Sequence, residues 1–144
     1  MPILNWHFAG QPPATAQAVL ASHGPREQIQ ANVHPAVQKS LADANLPIPP
    51  AVGGLALIDT GATTSAIDIA AAAQLGLKSV GRKPILTPAG SSEADQFVFT
   101  IQLLPWGLIL NCVPGLGVSL KEQGIVALIG MDILTHCVLM VNGP

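Results

Sequence analysis

Charge is scarce in this chain. Six residues are Lys or Arg and eight are Asp or Glu, for a net charge of −2 over 144 residues. So small a basic complement excludes the cationic face that nucleic acid binding requires. Tyrosine is absent and aromatic residues make up only 3%, so a core cannot be built chiefly from rings. No apolar run approaches the ~20 residues of a membrane-spanning helix, and no membrane span is expected. Met1-Pro2-Ile3-Leu4-Asn5-Trp6 lacks the basic flank and long apolar core of a secretory signal. The two cysteines, Cys112 and Cys137, define no disulfide framework and show no metal-ligand spacing. They read as ordinary buried thiols in a reducing compartment, which points to the cytoplasm. His7, His23, His34 and His136 are scattered, so neither a metal nor another cofactor is expected.

What the chain does have is apolar surface. It is 49% hydrophobic, with 13 prolines and 14 glycines to turn it. The length suits one domain spanning residues 1–144, and a chain of this size buries roughly 68–70% of its unfolded surface. With so few charges, the remaining apolar surface must enter a large core or be covered by oligomerisation.

Residues 1–27 are the hardest to read. Ile3-Leu4-Asn5-Trp6 suits an extended terminal strand, and residues 14–21 fit helix or strand. Gln28-Ile29-Gln30-Ala31-Asn32-Val33 alternates as a half-buried strand does. Residues 35–44 suit a helix, with Pro35 in its first turn and Val37 and Leu41 on one face. Leu46-Pro47-Ile48-Pro49-Pro50 lacks the backbone donors for helix or central strand, so residues 46–50 read as a surface linker or a segment in polyproline conformation. Gly53-Gly54 is expected to turn the chain into the next strand.

Asp68 suits the N-cap of a helix over residues 69–75, stopped by Gly76. Residues 82–87 and 96–104 read as two strands of a hairpin, joined by a loop that includes Pro88-Ala89-Gly90-Ser91-Ser92. Phe97, Phe99, Ile101 and Leu103 fall on one face of the second strand. Further strands are expected over 108–113, 124–129 and 137–141. Turn density and strand spacing together predict a mainly β, closed or partly closed barrel with two or three short helices.

The most informative stretch is Leu55-Ala56-Leu57-Ile58-Asp59-Thr60-Gly61-Ala62-Thr63. An apolar strand runs straight into an aspartate. A carboxylate carried into the interior is costly unless it is paired or hydrogen-bonded, and such positions are candidates for tuned acid–base groups. Asp-Thr-Gly is also ordinary turn chemistry. A second segment, Val126-Ala127-Leu128-Ile129-Gly130-Met131-Asp132, repeats the pattern of apolar strand, glycine and helix start. In this order the pair resembles the retropepsin-like aspartic proteases, the retroviral enzymes and their retrotransposon and bacterial relatives. Asp59-Thr60-Gly61-Ala62 matches the family's catalytic signature and Leu128-Ile129-Gly130 its second motif. The likeness covers the chain from about Gln28 onward.

The resemblance implies an aspartic endopeptidase that cuts polypeptide substrates. Asp59 would be the catalytic residue, with Thr60, Gly61 and Ala62 supporting it and Ile129 and Gly130 packing beside the catalytic loop. Thr87, Pro88, Ala89, Gly90 and Ser91 would form the tip of a flap that closes over substrate. Amide hydrolysis by acid–base means needs one group to take a proton from water and another to donate one. The remaining aspartates, Asp43, Asp68, Asp95 and Asp132, precede neither Thr-Gly nor Ser-Gly. Asp132 lies at a helix start, where its charge suits the helix dipole. The second carboxylate is therefore expected from Asp59 of another copy, brought to a twofold axis in a homodimer.

Some features depart from the viral pattern. The helix-plus-proline segment, residues 35–50, reads as an insertion. Thr63 and Met131 stand where many viral enzymes carry a charged pair, and the flap tip has fewer glycines. These point to a cellular, bacterial-type relative. Two other readings are open to the same residues. One is a dimeric binding module of this fold without catalysis. The other is an actin-like phosphate loop, since Asp59-Thr60-Gly61-Ala62-Thr63-Thr64 approximates Asp-x-Gly-Thr-Thr; the chain is short for that two-lobed fold. Ala62 cannot hydrogen-bond a carboxylate as a serine can. Ala62→Ser is therefore expected to move the pH–rate profile toward acid, because the added hydroxyl favours the charged form. An unchanged profile refutes this assignment.

Overall fold

In the computed structural model, residues 1, 3–6, 13–87 and 90–141 are described. Their elements follow in the order β1 (Ile3–Trp6), α1 (Pro13–His23), β2 (Arg26–Asn32), α2 (Pro35–Asp43), β3 (Val52–Ile58), β4 (Ala66–Asp68), α3 (Ile69–Gln74), β5 (Gly81–Thr87), β6 (Gly90–Leu103), β7 (Leu108–Val118), β8 (Ala127–Ile129), α4 (Met131–Leu134) and β9 (Val138–Val141). Short 3₁₀ turns at Leu104–Trp106 and Lys121–Gln123 complete them.

Seven strands form one sheet in the order β2-β3-β8-β4-β7-β6-β5. β2 uses both of its edges. Arg26 to Ala31 pair antiparallel with β3, while Ile29 to Asn32 pair antiparallel with β6. The sheet thereby curls back on itself and is partly ring-like, with β5 hanging outside the ring on β6. Alternation sets what lies within: Ile29 and Ala31 are fully buried, while Gln28 is exposed and Gln30 and Asn32 are half-buried. Ile67, Phe99, Ile101, Leu103 and Ile129 complete the innermost set. A separate two-stranded sheet pairs β1 with β9 in parallel, from Ile3 opposite Val138 to Trp6 opposite Val141.

Several elements differ from the sequence reading. Four α-helices are present among the described residues, against two or three expected. The additional one is α1, where alanine-rich helix propensity decides a segment that the pattern left open. Gly53 and Gly54 do not turn the chain but lie inside β3, where the Val126 side chain fills the space a Cβ on Gly54 would need. The loop expected over residues 88–95 is mostly strand: β6 starts at Gly90, and the ladder from Gly81 opposite Gln96 to Thr87 opposite Gly90 is continuous. Ser91, Ser92, Glu93 and Asp95 have weak strand propensity, but pairing with β5 overrides it. Arg82 reaches across this ladder to Glu93 and Asp95, at 3.4 and 3.3 Å. Pro88 and Ala89, named as flap-tip residues, lie outside the described residues.

β7 continues five residues beyond the expected Val113 to Val118. Gly115 and Gly117 fit there because aromatic rings occupy the places of their missing side chains. A Cβ on Gly115 would stand 2.6 Å from the Phe99 ring, and one on Gly117 2.5 Å from the Phe97 ring. The strand expected over residues 124–129 is shortened to β8, because Gly124 (φ +67°) closes the preceding 3₁₀ turn. Asp68 caps α3, accepting from the Ala70 and Ala71 amides at 2.9 and 3.3 Å. Its second oxygen accepts from Leu120 N at 2.8 Å, which ties the helix start to the segment after β7. Among the described residues no helix is long and apolar enough to cross a membrane.

Phe99 is fully buried and is the largest such side chain. Phe99→Ala is expected to lower the unfolding free energy by about 3–5 kcal/mol, through lost transfer energy and the cavity left beside Gly115. Urea denaturation measures this, and a loss under ~1 kcal/mol contradicts the packing described.

Candidate active site

Topology creates the site. β8 lies between β3, its parallel neighbour from Ala56 opposite Ala127 to Ile58 opposite Ile129, and β4, its antiparallel neighbour. The chain that links β3 to β4, residues 59–65, must therefore straddle the end of β8. Asp59 is the first residue of this arch. Its amide donates to Ile129 O at 2.9 Å, which prolongs the β3–β8 ladder by one step.

The arch rests on the segment that emerges from β8. Met131 N donates to Ala62 O at 2.8 Å and Asp132 N to Thr63 O at 3.2 Å. Between them Gly130 passes beneath the arch so closely that a Cβ would stand 2.9 Å from both Ala62 O and Thr64 C. Both contacts are backbone, so no side chain can yield.

Ser65 and Asp132 lock the crossing. Asp132 Oδ1 accepts from Ser65 Oγ at 2.7 Å and its Oδ2 from Ser65 N at 3.0 Å. Ser65 Oγ in turn accepts from Gly130 N at 3.0 Å. Ser65 is fully buried, and this chain satisfies its hydroxyl as both donor and acceptor. Asp132 thus does more than meet the α4 dipole: it joins the far end of the arch to the helix. Nothing local in the sequence marks Ser65, because its partners lie more than sixty residues away.

Asp59 itself is half-buried, with Thr60 and Gly61 exposed beside it. Its Oδ1 accepts from Gly61 N at 2.8 Å, which fixes the carboxylate within its own turn. Asp59 and Thr60 line a cleft of about 480 Å³, together with His23, Gly24, Pro25, Leu57, Ile58 and Leu139. The structure therefore brings Asp59, Thr60, Gly61, Ala62, Ile129 and Gly130 together. Thr87, Gly90 and Ser91 lie at the far end of the β5–β6 ladder, and Gly90 and Ser91 are not among the residues that line this cleft.

No protein-family model matches the chain, and no curated protein matches it. Among solved structures it is similar to a Legionella pneumophila protein with unknown function (DUF785), at 14% identity. That match covers 81% of this chain and 89% of the other, with a TM-score of 0.43. A likeness of that degree carries no functional argument.

The other aspartates are engaged elsewhere. Asp43 pairs with Lys39 at 2.6 Å on the surface of α2, Asp95 pairs with Arg82 and accepts from Ser79, and Asp68 and Asp132 hold backbone as described. Among the described residues the Asp59 carboxylate is held through one oxygen by the neighbouring Gly61 amide and has no other hydrogen-bond partner. Among the described residues no three of His, Cys, Asp and Glu converge as a metal site. Cys137 is partly buried, and burial pushes its thiol above the ordinary value, which disfavours the nucleophilic thiolate.

Asp132→Ala is expected to destabilise the fold by about 1–3 kcal/mol for each Ser65 group left unsatisfied. Asp132→Asn, which keeps one acceptor oxygen, is expected to lose less. Equal stability of all three proteins in thermal or urea unfolding contradicts the proposed lock.

Proposed function

We propose that this protein is an aspartic endopeptidase of the retropepsin type, active as a homodimer. One observation carries the reading. One aspartate lies at the end of an apolar strand, inside an arch closed over a threaded glycine, and among the described residues only the adjacent Gly61 amide bonds its carboxylate, while Asp43 and Asp95 are ion-paired and Asp68 and Asp132 hold more distant backbone. The partly ring-like sheet and the β5–β6 hairpin after the arch fit a barrel with a flap, though the flap would have to bend toward the cleft to close it.

In this reading two Asp59 carboxylates meet across a twofold axis. Two such charges ~3 Å apart repel by roughly 5 kcal/mol at an effective dielectric of ~20, so the pair holds one shared proton. The ionised partner takes a proton from water, whose oxygen attacks the scissile carbonyl. The protonated partner donates to the carbonyl oxygen. Collapse of the tetrahedral intermediate breaks the C–N bond, and the nitrogen leaves with a proton delivered by the dyad. Exposure of Thr60 suits a hydroxyl that bonds across the dimer axis. Gly61 leaves the carboxylate open to substrate: a Cβ there would stand 3.2 Å from Asp59 Oδ1. Isologous pairing supplies the second carboxylate without a second motif.

Asp59→Asn is expected to abolish cleavage of an unfolded casein-type substrate while leaving the unfolding midpoint close to that of the wild type. Sedimentation at the assay concentration is expected to show a dimer. Cleavage that survives the substitution, or an active monomer, overturns the mechanism. A dimer that binds polypeptide yet never cleaves it would instead mark a silent binding module.

A further inference from the structure

A second ionisable residue lines the Asp59 cleft. The remaining walls are made by Gly24, Pro25, Leu57, Ile58, Thr60 and Leu139, so His23 is the one other ionisable group among the lining residues. It ends α1, and its place relative to Asp59 is fixed by backbone. Gly24, at φ +70°, closes the helix with its amide on Leu20 O at 2.9 Å. Its Cα packs so near Leu57 that a Cβ would stand 2.9 Å from Leu57 Cδ1. Pro25 O then accepts from Ile58 N at 2.9 Å, one residue before the aspartate. Arg26 Nε donates to His23 O at 3.1 Å and holds the turn from the β2 side.

The ring is oriented too. Ser22 Oγ lies 2.8 Å from Ala18 O, 3.3 Å from Val19 O and 2.6 Å from His23 Nδ1, so the ring is held through Nδ1 in either tautomer. Nε2 accepts a hydrogen bond in the tautomer protonated on Nδ1 and donates one in the other. Among the described residues Nε2 has no hydrogen-bond partner.

We propose that His23 is a specificity-determining residue of the Asp59 site, whose Nε2 hydrogen-bonds a substrate side chain bearing a hydroxyl or an amide. The inference rests on the proteolytic reading above. An extended peptide passing Asp59 sends alternate side chains to the same face, and one of these enters the cleft. Pro25, Leu57 and Leu139 contact its apolar stem, and Nε2 meets its tip. Ser, Thr, Asn and Gln fit this chemistry. A purely apolar residue leaves Nε2 desolvated and unpaired, which makes it the poorer occupant.

The test is a cleavage-site profile on a mixed peptide library, read by mass spectrometry for wild type, His23→Leu, His23→Gln and Asp59→Asn. Wild type is expected to enrich Ser, Thr, Asn or Gln at one position within three residues of the cut. His23→Leu is expected to reduce that preference about tenfold, the scale of one good hydrogen bond, while His23→Gln retains it through its side-chain amide, which both donates and accepts. A preference that persists in His23→Leu, or is absent from wild type, overturns the assignment but leaves the protease reading intact. Enrichment of Asp or Glu that vanishes in His23→Gln also overturns it, because a charged imidazole would then be the recognising species. No cleavage by wild type, or cleavage that survives in Asp59→Asn, removes the protease reading and this inference with it.

Discussion

The structure turns on the passage of Gly130 beneath the arch of residues 59–65. β3 and β4 flank β8 on opposite edges, so the link between them must cross over its end. Main-chain atoms meet main-chain atoms there at distances that admit only hydrogen. Everything chemically interesting about Asp59 follows from this crossing. The aspartate is the first residue of the arch, its amide belongs to the β3–β8 ladder, and its carboxylate is held in a turn whose far end is anchored by Ser65 and Asp132. The support of the site comes from backbone contacts and from the Ser65–Asp132 pair, not from long flexible groups.

Burial and polarity are divided cleanly between the two acidic residues near the crossing. Asp132 has both oxygens occupied and serves as a bracket between the arch and α4. Asp59 keeps most of its hydrogen-bonding capacity and opens into a cleft with apolar walls. Asp68 is more buried than either and is spent on capping α3 and holding Leu120. Three aspartates within one region thus have distinct roles, set by how many amides reach each one.

Much of this was legible in the sequence where the signal is local. The apolar run into Asp59, the cap at Asp68 and the alternation at residues 28–33 each rest on neighbours a few positions away, and the structure forms β3, α3 and β2 there. The convergence of the two glycine motifs was also readable, through a family likeness. What escaped was decided at a distance. Ser65 looks like any small loop residue until Asp132 and Gly130 arrive from the other end of the chain. Ser91 to Asp95 read as loop because their propensities are weak, and only pairing with β5 makes them strand. His23 was one of four scattered histidines, and its relation to Asp59 depends on the tight turn at Gly24 and on Pro25 bonding Ile58. Gly53-Gly54 misled for the opposite reason: the glycines accommodate Val126 and do not bend the chain.

The small β1–β9 sheet joins segments more than a hundred residues apart. Closing so long a loop costs entropy that grows only slowly with length, yet the contact must wait until both ends exist. Leu139 belongs to β9 and also walls the Asp59 cleft. During synthesis the arch and its aspartate emerge well before that wall can be laid down. A chain that has not yet reached β9 therefore carries the carboxylate without a finished cleft around it.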